Sequence, residues 1–249
     1  MSDCCVRGFE WNGTPVGKET KLANLDSYVT GSSDKVAVLL IHDLFGWTFS
    51  NVRILADQYS REIDATVYVP DFFGGEVIEA EVVRDFTRLR QMDMSGFLAR
   101  NSKATRESEI VACAHALRGK YERVAAVGFC FGGWAVFRLG ATSYNPPLVD
   151  CISTAHPSML DPDEIGNIGV PVQILAPEID PMFSPELKET CNRVIPSKGV
   201  PYDYQYFPGV EHGFATRGYS DNRVEREAMV RGIGSVVSWF RYWLHVKEA

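Results

Sequence analysis

Six strand-length apolar runs recur along the chain, at residues 36–41, 65–69, 124–129, 149–154, 170–175 and 202–207. The first five are nearly continuous rather than alternating, so both faces of each strand must be covered, as in a parallel sheet buried under helices. The last alternates more, which suits a strand at the sheet edge. Between the runs lie segments of helical period, near 51–63, 102–119, 133–141, 184–195 and 222–246. In the last of these, Met229, Ile233, Val236, Val237, Phe240 and Trp243 recur at three- and four-residue steps, an apolar stripe for docking on the sheet. Strand–helix alternation of this kind predicts a mostly parallel central sheet flanked by helices on both faces. In such sheets ligands bind beyond the carboxyl ends of the strands. Residues capable of chemistry should therefore cluster just after the runs.

A sheet of this kind can absorb about 250 residues in one unit. The 249-residue chain has no internal repeat, low-complexity tract or linker, so residues 1–249 read as a single domain. With 25 basic and 32 acidic residues the net charge is −7, which argues against nucleic acid, whose phosphates need clustered Lys and Arg. No run approaches the roughly 18 apolar residues of a membrane span. Residues 1–7 carry no charged-then-apolar export signal, so a reducing, cytoplasmic setting is expected, with the six cysteines free. Neither a Cys-x-x-Cys pair nor the His and Cys spacing of a zinc site occurs, so no metal and no cofactor are expected. Whether the chain is a monomer or a homodimer is not written in these features.

Residues Gly128-Phe129-Cys130-Phe131-Gly132-Gly133 close the third run and open a helix. Glycines flanking a central residue on a sharp strand-to-helix turn form the nucleophile-elbow pattern. Cys130 at its centre would project into the cleft, and the N–H of Phe131 would face a developing oxyanion. The helix N-terminus favours negative charge and so favours a thiolate. Cys113, Cys151 and Cys191 fall within helices or a strand and read as core. No Gly-x-Ser-x-Gly offers a rival elbow.

A cysteine nucleophile needs a histidine base and an acid that orients it, in the chain order nucleophile, acid, base. The loop after 170–175 carries Asp180, the preferred acid, and Glu178 as an alternative. The loop after 202–207 carries His212. His115 and His245 lie within helices. His42 and His156 follow strands but stand in the wrong order or lack an acid, and read as structural or pocket-lining. After the first run comes His42-Asp43-Leu44-Phe45-Gly46-Trp47. Here the N–H of Leu44 is the second oxyanion donor, and Asp43 is a candidate for gating the thiol or for capping the loop. Trp47, Phe72, Phe73, Met182, Phe183 and Phe214 are candidates for an apolar wall.

His42-Asp43-Leu44-Phe45-Gly46, Pro70-Asp71-Phe72-Phe73-Gly74-Gly75, the Cys130 elbow, Asp180 and His212-Gly213-Phe214 together resemble the dienelactone hydrolase family, in particular its eukaryotic, fungal-like branch. The resemblance runs from about residue 25 to 245 and implies an α/β-hydrolase fold. It also implies a Cys130–Asp180–His212 triad with Leu44 and Phe131 as the oxyanion hole, and hydrolysis of a small-molecule ester or lactone through a thioester acyl-enzyme. Carboxymethylenebutenolidase-type opening of a dienelactone is the type reaction. The family's bacterial members carry Glu, which gates the thiol, where this chain has Asp43. They also bind a substrate carboxylate with arginines. Arg217 is the substrate-binding candidate here, together with Trp47, Phe73 and Phe214, and Arg84 and Arg88 are further cations. The other reading of Cys130 is a reactive thiol in a non-catalytic or redox-sensing protein of the same fold.

Overall fold

The computed structural model describes residues 8–78, 88 and 91–245. Eight strands, β1 (Lys18–Leu22), β2 (Leu25–Thr30), β3 (Val36–Ile41), β4 (Thr66–Pro70), β5 (Arg123–Phe129), β6 (Cys151–Ala155), β7 (Val172–Ile179) and β8 (Tyr202–Glu211), form one sheet. Their order is β1-β2-β4-β3-β5-β6-β7-β8. From β4 to β8 every pairing is parallel, and β2 pairs antiparallel with both β1 and β4. Each expected strand is present within a few residues of its expected ends, and β8 lies at the edge. The continuous apolar runs owe their composition to burial: all residues of β3, β4 and β6 are buried.

The helices described are α1 (Ser50–Ile63), α2 (Met94–Arg100), α3 (Lys103–Arg118), α4 (Gly132–Leu139), α5 (Pro162–Gly166), α6 (Pro185–Ser197), α7 (Phe214–Arg217) and α8 (Arg223–His245). They flank the sheet, with α1 packed on α8 and α3 packed on α4. In α1 the buried Val52, Leu55, Ala56, Tyr59 and Ile63 keep the three- and four-residue step that turns one stripe to the core. The expected stripe of α8 buries Met229, Val236, Val237 and Phe240, with Ile233 and Trp243 half-buried at its margin. Side-chain caps fix helix starts: Ser102 accepts from the Thr105 N–H, Ser184 from the Leu187 N–H, and Asp161 with Glu164 closes a capping box on α5. No helix among the described residues is long and apolar enough to cross a membrane.

Two features set where the loops converge. The chain leaves β3 for β4 on one side of it and returns to β5 on the other, so β3 and β5 flank the point where strand order reverses. A crevice opens beyond such a point. The loops carrying Asp43 and Cys130 lie there side by side. The second feature is an irregularity between Pro177 and Ile179, after which pairing resumes as Ile179 with Glu211. Pro208-Gly209 therefore lies inside β8, where the turn-forming residues suggest its end. Gly209 takes φ +71° there and donates its N–H to Glu178 Oε2 at 2.7 Å. The prolonged ladder delivers Asp180 and His212 together, one residue past its last pair.

Candidate active site

Cys130 occupies the turn between β5 and α4 with φ +51°, a left-handed conformation that costs a non-glycine residue about 1–2 kcal/mol. Tight packing holds it there. A Cβ on Gly128 would lie 2.1 Å from Gly132 O, one on Gly132 would lie 2.3 Å from Ile41 O, and one on Gly133 2.3 Å from the Pro157 Cβ. Only glycine permits these approaches, so the spacing of the elbow glycines has a direct steric cause. The turn is pinned further by the Ser158 N–H donating to Cys130 O at 2.8 Å. Strain of this size in a well-packed core is characteristic of functional positions.

The structure brings Asp180 and His212 together. Nδ1 of His212 lies 2.9 Å from both Asp180 carboxylate oxygens, and both side chains are fully buried. Asp180 Oδ1 also accepts the N–H groups of Met182 and Phe183 at 2.9 and 3.1 Å, so the Asp-Pro-Met-Phe turn fixes the carboxylate before it fixes the ring. Glu178, the alternative acid, is exposed and engaged with Gly209. With Nδ1 donating to Asp180, Nε2 is left buried and without a hydrogen-bond partner among the described residues.

Cys130 and His212 act on each other's ionisation. Burial pushes the Cys130 thiol up, but the facing His212, with Arg217 behind it, overcomes this and leaves the thiol below its ordinary value. Burial likewise pulls His212 down, but the Cys130 charge and the Asp180 hydrogen bond raise it to about 10. The opposite shifts favour the charged form of each partner, and the two groups titrate as a unit. Burial has the opposite outcome at the other described cysteines, all free: it raises Cys113 and Cys191 to about 12 and Cys151 well above its usual value. Cys4 and Cys5 lie outside the described residues.

Leu44 and Phe131 both line the cavity into which Cys130 opens. Phe131 is the N-cap residue of α4. N–H groups at a helix start have no acceptor within the helix. The loop bearing Leu44 is shaped by Asp43, whose Oδ1 accepts the Phe45 N–H at 3.0 Å. Its Oδ2 takes the Thr216 hydroxyl at 2.7 Å and Arg217 Nη1 at 2.5 Å. The Asp43 carboxylate is thus engaged away from the thiol, on which it acts through its field.

The structure places only some of the expected wall residues beside Cys130. Phe73 and Met182 line the cavity beside Cys130. Trp47 is buried at the loop, with the Arg53 guanidinium 4.8 Å above its ring. Phe72 and Phe183 lie fully inside the core. Phe214 packs on Phe207 and His156, and with Arg217 and His212 it borders a second cavity of about 250 Å³. Arg217, the candidate partner of a substrate carboxylate, is 1% exposed and bound to Asp43 inside the protein. Arg88 is exposed, and Arg84 lies outside the described residues.

His42 proves structural. Its Nε2 accepts the Phe72 N–H at 3.2 Å, which leaves Nδ1 protonated and donating to Asp43 O at 2.9 Å, so the ring ties two loops together. Three further residues about the site carry no motif that marks them. Ser158, just past β6, sets its hydroxyl 3.4 Å from Cys130 Sγ. Thr216 anchors Asp43, and Asn51 ties α1 to the Thr216 carbonyl at 2.9 Å. The Pro157 that requires Gly133 gives no local signal that its neighbour Ser158 reaches the sulfur. His156 lies edge-on to His212 at 4.8 Å with both ring nitrogens buried and without a hydrogen-bond partner among the described residues, and burial drives it well below its usual value, hence neutral. Among the described residues no cluster of three His, Cys, Asp or Glu side chains is arranged for a metal ion.

A buried Asp–His pair facing a strained cysteine at the switch point of a parallel sheet defines an α/β-hydrolase-type site. The family model of the dienelactone hydrolase family matches residues 25–244. The chain belongs to that family and is by class a carboxylic ester or lactone hydrolase. It is 31% identical to hydrolase tropI of Talaromyces stipitatus over 98% of this chain and 97% of that one. It is 29% identical to the carboxymethylenebutenolidase homolog of Rattus norvegicus over 87% of this chain and 86% of that one. Among solved structures, carboxyl esterase 2 of Tuber melanosporum shares the fold with a TM-score of 0.66 at 15% identity, covering 96% of this chain and 91% of that one.

Proposed function

We propose that the protein hydrolyses an ester or lactone through a covalent thioester on Cys130. The observation that carries this reading is the fully buried Asp180–His212 pair, joined at 2.9 Å, together with Cys130 held at φ +51° on the strand-to-helix turn; the lowered thiol and raised imidazole agree with it. The Cys130 thiolate attacks the carbonyl carbon, forming the C–S bond as the C=O electrons move to oxygen. The Leu44 and Phe131 N–H groups hold that oxyanion. On collapse the C–O bond breaks, and His212, kept in one tautomer by Asp180, gives its Nε2 proton to the departing oxygen. In a lactone that oxygen stays tethered to the acyl group. Water then attacks the thioester while His212 takes its proton, and the sulfur leaves as thiolate. Opening of an ester or lactone follows this sequence.

The pH dependence tests the pairing. Iodoacetamide alkylation of Cys130 should proceed at neutral pH, as a thiolate reaction with a midpoint below that of a free thiol near 8.5. His212→Gln removes the cation that favours the thiolate, so the midpoint should move to higher pH. Ester turnover should fall on the acid side as the thiolate is protonated. It should fall again as pH rises through about 10, where His212 loses the proton it delivers. A Cys130 that alkylates with an ordinary thiol midpoint, unchanged in His212→Gln, contradicts the ion pair.

A further inference from the structure

Cys130 opens into a cavity of about 180 Å³. Its walls are built around Phe73, whose ring meets those of Phe97 and Phe131 edge-on, each at 5.0 Å. Leu44, Met159 and Met182 complete most of the lining, and Leu98, 40% exposed, is also part of it. Among the described residues of the lining, both polar side chains, Asn101 and Ser158, are already occupied. Asn101 donates to the Phe97 carbonyl and accepts from Arg106, each at 3.0 Å, and Ser158 is turned to the sulfur. Among the described residues the lining holds no Lys or Arg, and Arg217 is bound to Asp43 inside the protein.

We infer that this cavity is the acyl site and that it takes an uncharged, flat acyl group about the size of one aromatic ring. The inference rests on the hydrolase reading for its chemistry but on the cavity for its selectivity. Size favours a small group: an apolar cavity of about 150 Å³ holds one benzene ring, so 180 Å³ accommodates a ring with a small substituent, and a second fused ring must extend past the exposed Leu98 toward solvent. Edge-on phenylalanine rings favour the face of an aromatic or conjugated acyl group. The methionines supply adaptable contacts to its rim. Among the described residues of the lining no cation stands ready to receive a carboxylate stripped of its water, and the net charge of −7 opposes its approach.

Four 4-nitrophenyl esters separate these terms. The butyrate and the hemisuccinate have the same chain length and differ by one carboxylate, and kcat/KM should favour the butyrate by about a hundredfold. The benzoate and the 2-naphthoate differ by one fused ring, and the benzoate should lead by about tenfold or more. Leu98→Arg sets a cation in the lining from a partly exposed position and should raise the hemisuccinate-to-butyrate ratio by about tenfold. Parity or preference for the hemisuccinate, or a naphthoate cleaved as fast as the benzoate, overturns the inference. If no ester is cleaved, the hydrolase reading falls and the cavity is tested by binding alone. Methyl benzoate should then protect Cys130 from iodoacetamide and free benzoate should not, and equal or reversed protection overturns the acyl-site inference.

Discussion

Cys130→Ala should lower kcat/KM for 4-nitrophenyl acetate by about ten-thousandfold or more, since removing the nucleophile of a catalytic triad leaves only binding and oxyanion contacts to act. The loss should come without unfolding. Alanine fits the space of cysteine, and the left-handed φ of +51° strains both residues equally. Cys130→Gly separates strain from chemistry: it should be equally inactive yet more stable than wild type by about 1 kcal/mol, because glycine accepts that φ without penalty. Thermal unfolding and turnover measured on the same samples read both effects. A glycine variant no more stable than wild type would mean that the elbow is not strained.

The largest expected effect on stability lies at Arg217. Its guanidinium pairs with Asp43 where both side chains are almost fully buried, and it also lies 5.2 Å from the Phe45 ring. Arg217→Met should cost about 3–5 kcal/mol, the penalty for a buried carboxylate left without its cation, read as a lower denaturant midpoint. Adding Asp43→Asn should recover much of it, because the amide removes the unpaired charge. The two residues act on Cys130 with opposite signs. Arg217 favours the thiolate and Asp43 opposes it, so Arg217→Met should move the alkylation midpoint up and Asp43→Asn should move it down. Shifts of the same sign would show that the two residues do not act on the thiol through their fields.

The core of the sheet was legible in sequence because buried parallel strands leave unbroken apolar runs. The elbow was legible because its glycines answer to contacts of little more than 2 Å. The β1–β2 hairpin has no such signature. Lys18–Leu22 reads KETKL, with mostly exposed residues and no apolar run, and it is a strand because it pairs with β2. β8 runs past Pro208-Gly209, a dipeptide that ordinarily marks a turn, because an irregular register absorbs it. At the site, Asp180 and His212 were readable from their places after strands. Ser158, 28 positions from Cys130, and Arg217, 174 positions from Asp43, acquire their contacts only through tertiary packing. No local pattern distinguishes an arginine paired inside the protein from one reaching for substrate.

The most direct test of Cys130 as the acyl carrier is mass spectrometry of enzyme quenched in acid during turnover of a slowly deacylating aryl ester. The acyl mass should appear on the peptide containing Cys130, be released by hydroxylamine as a thioester is, and be absent from Cys130→Ala. Steady turnover with no adduct on that peptide, or with the acyl group on another residue, would contradict the account.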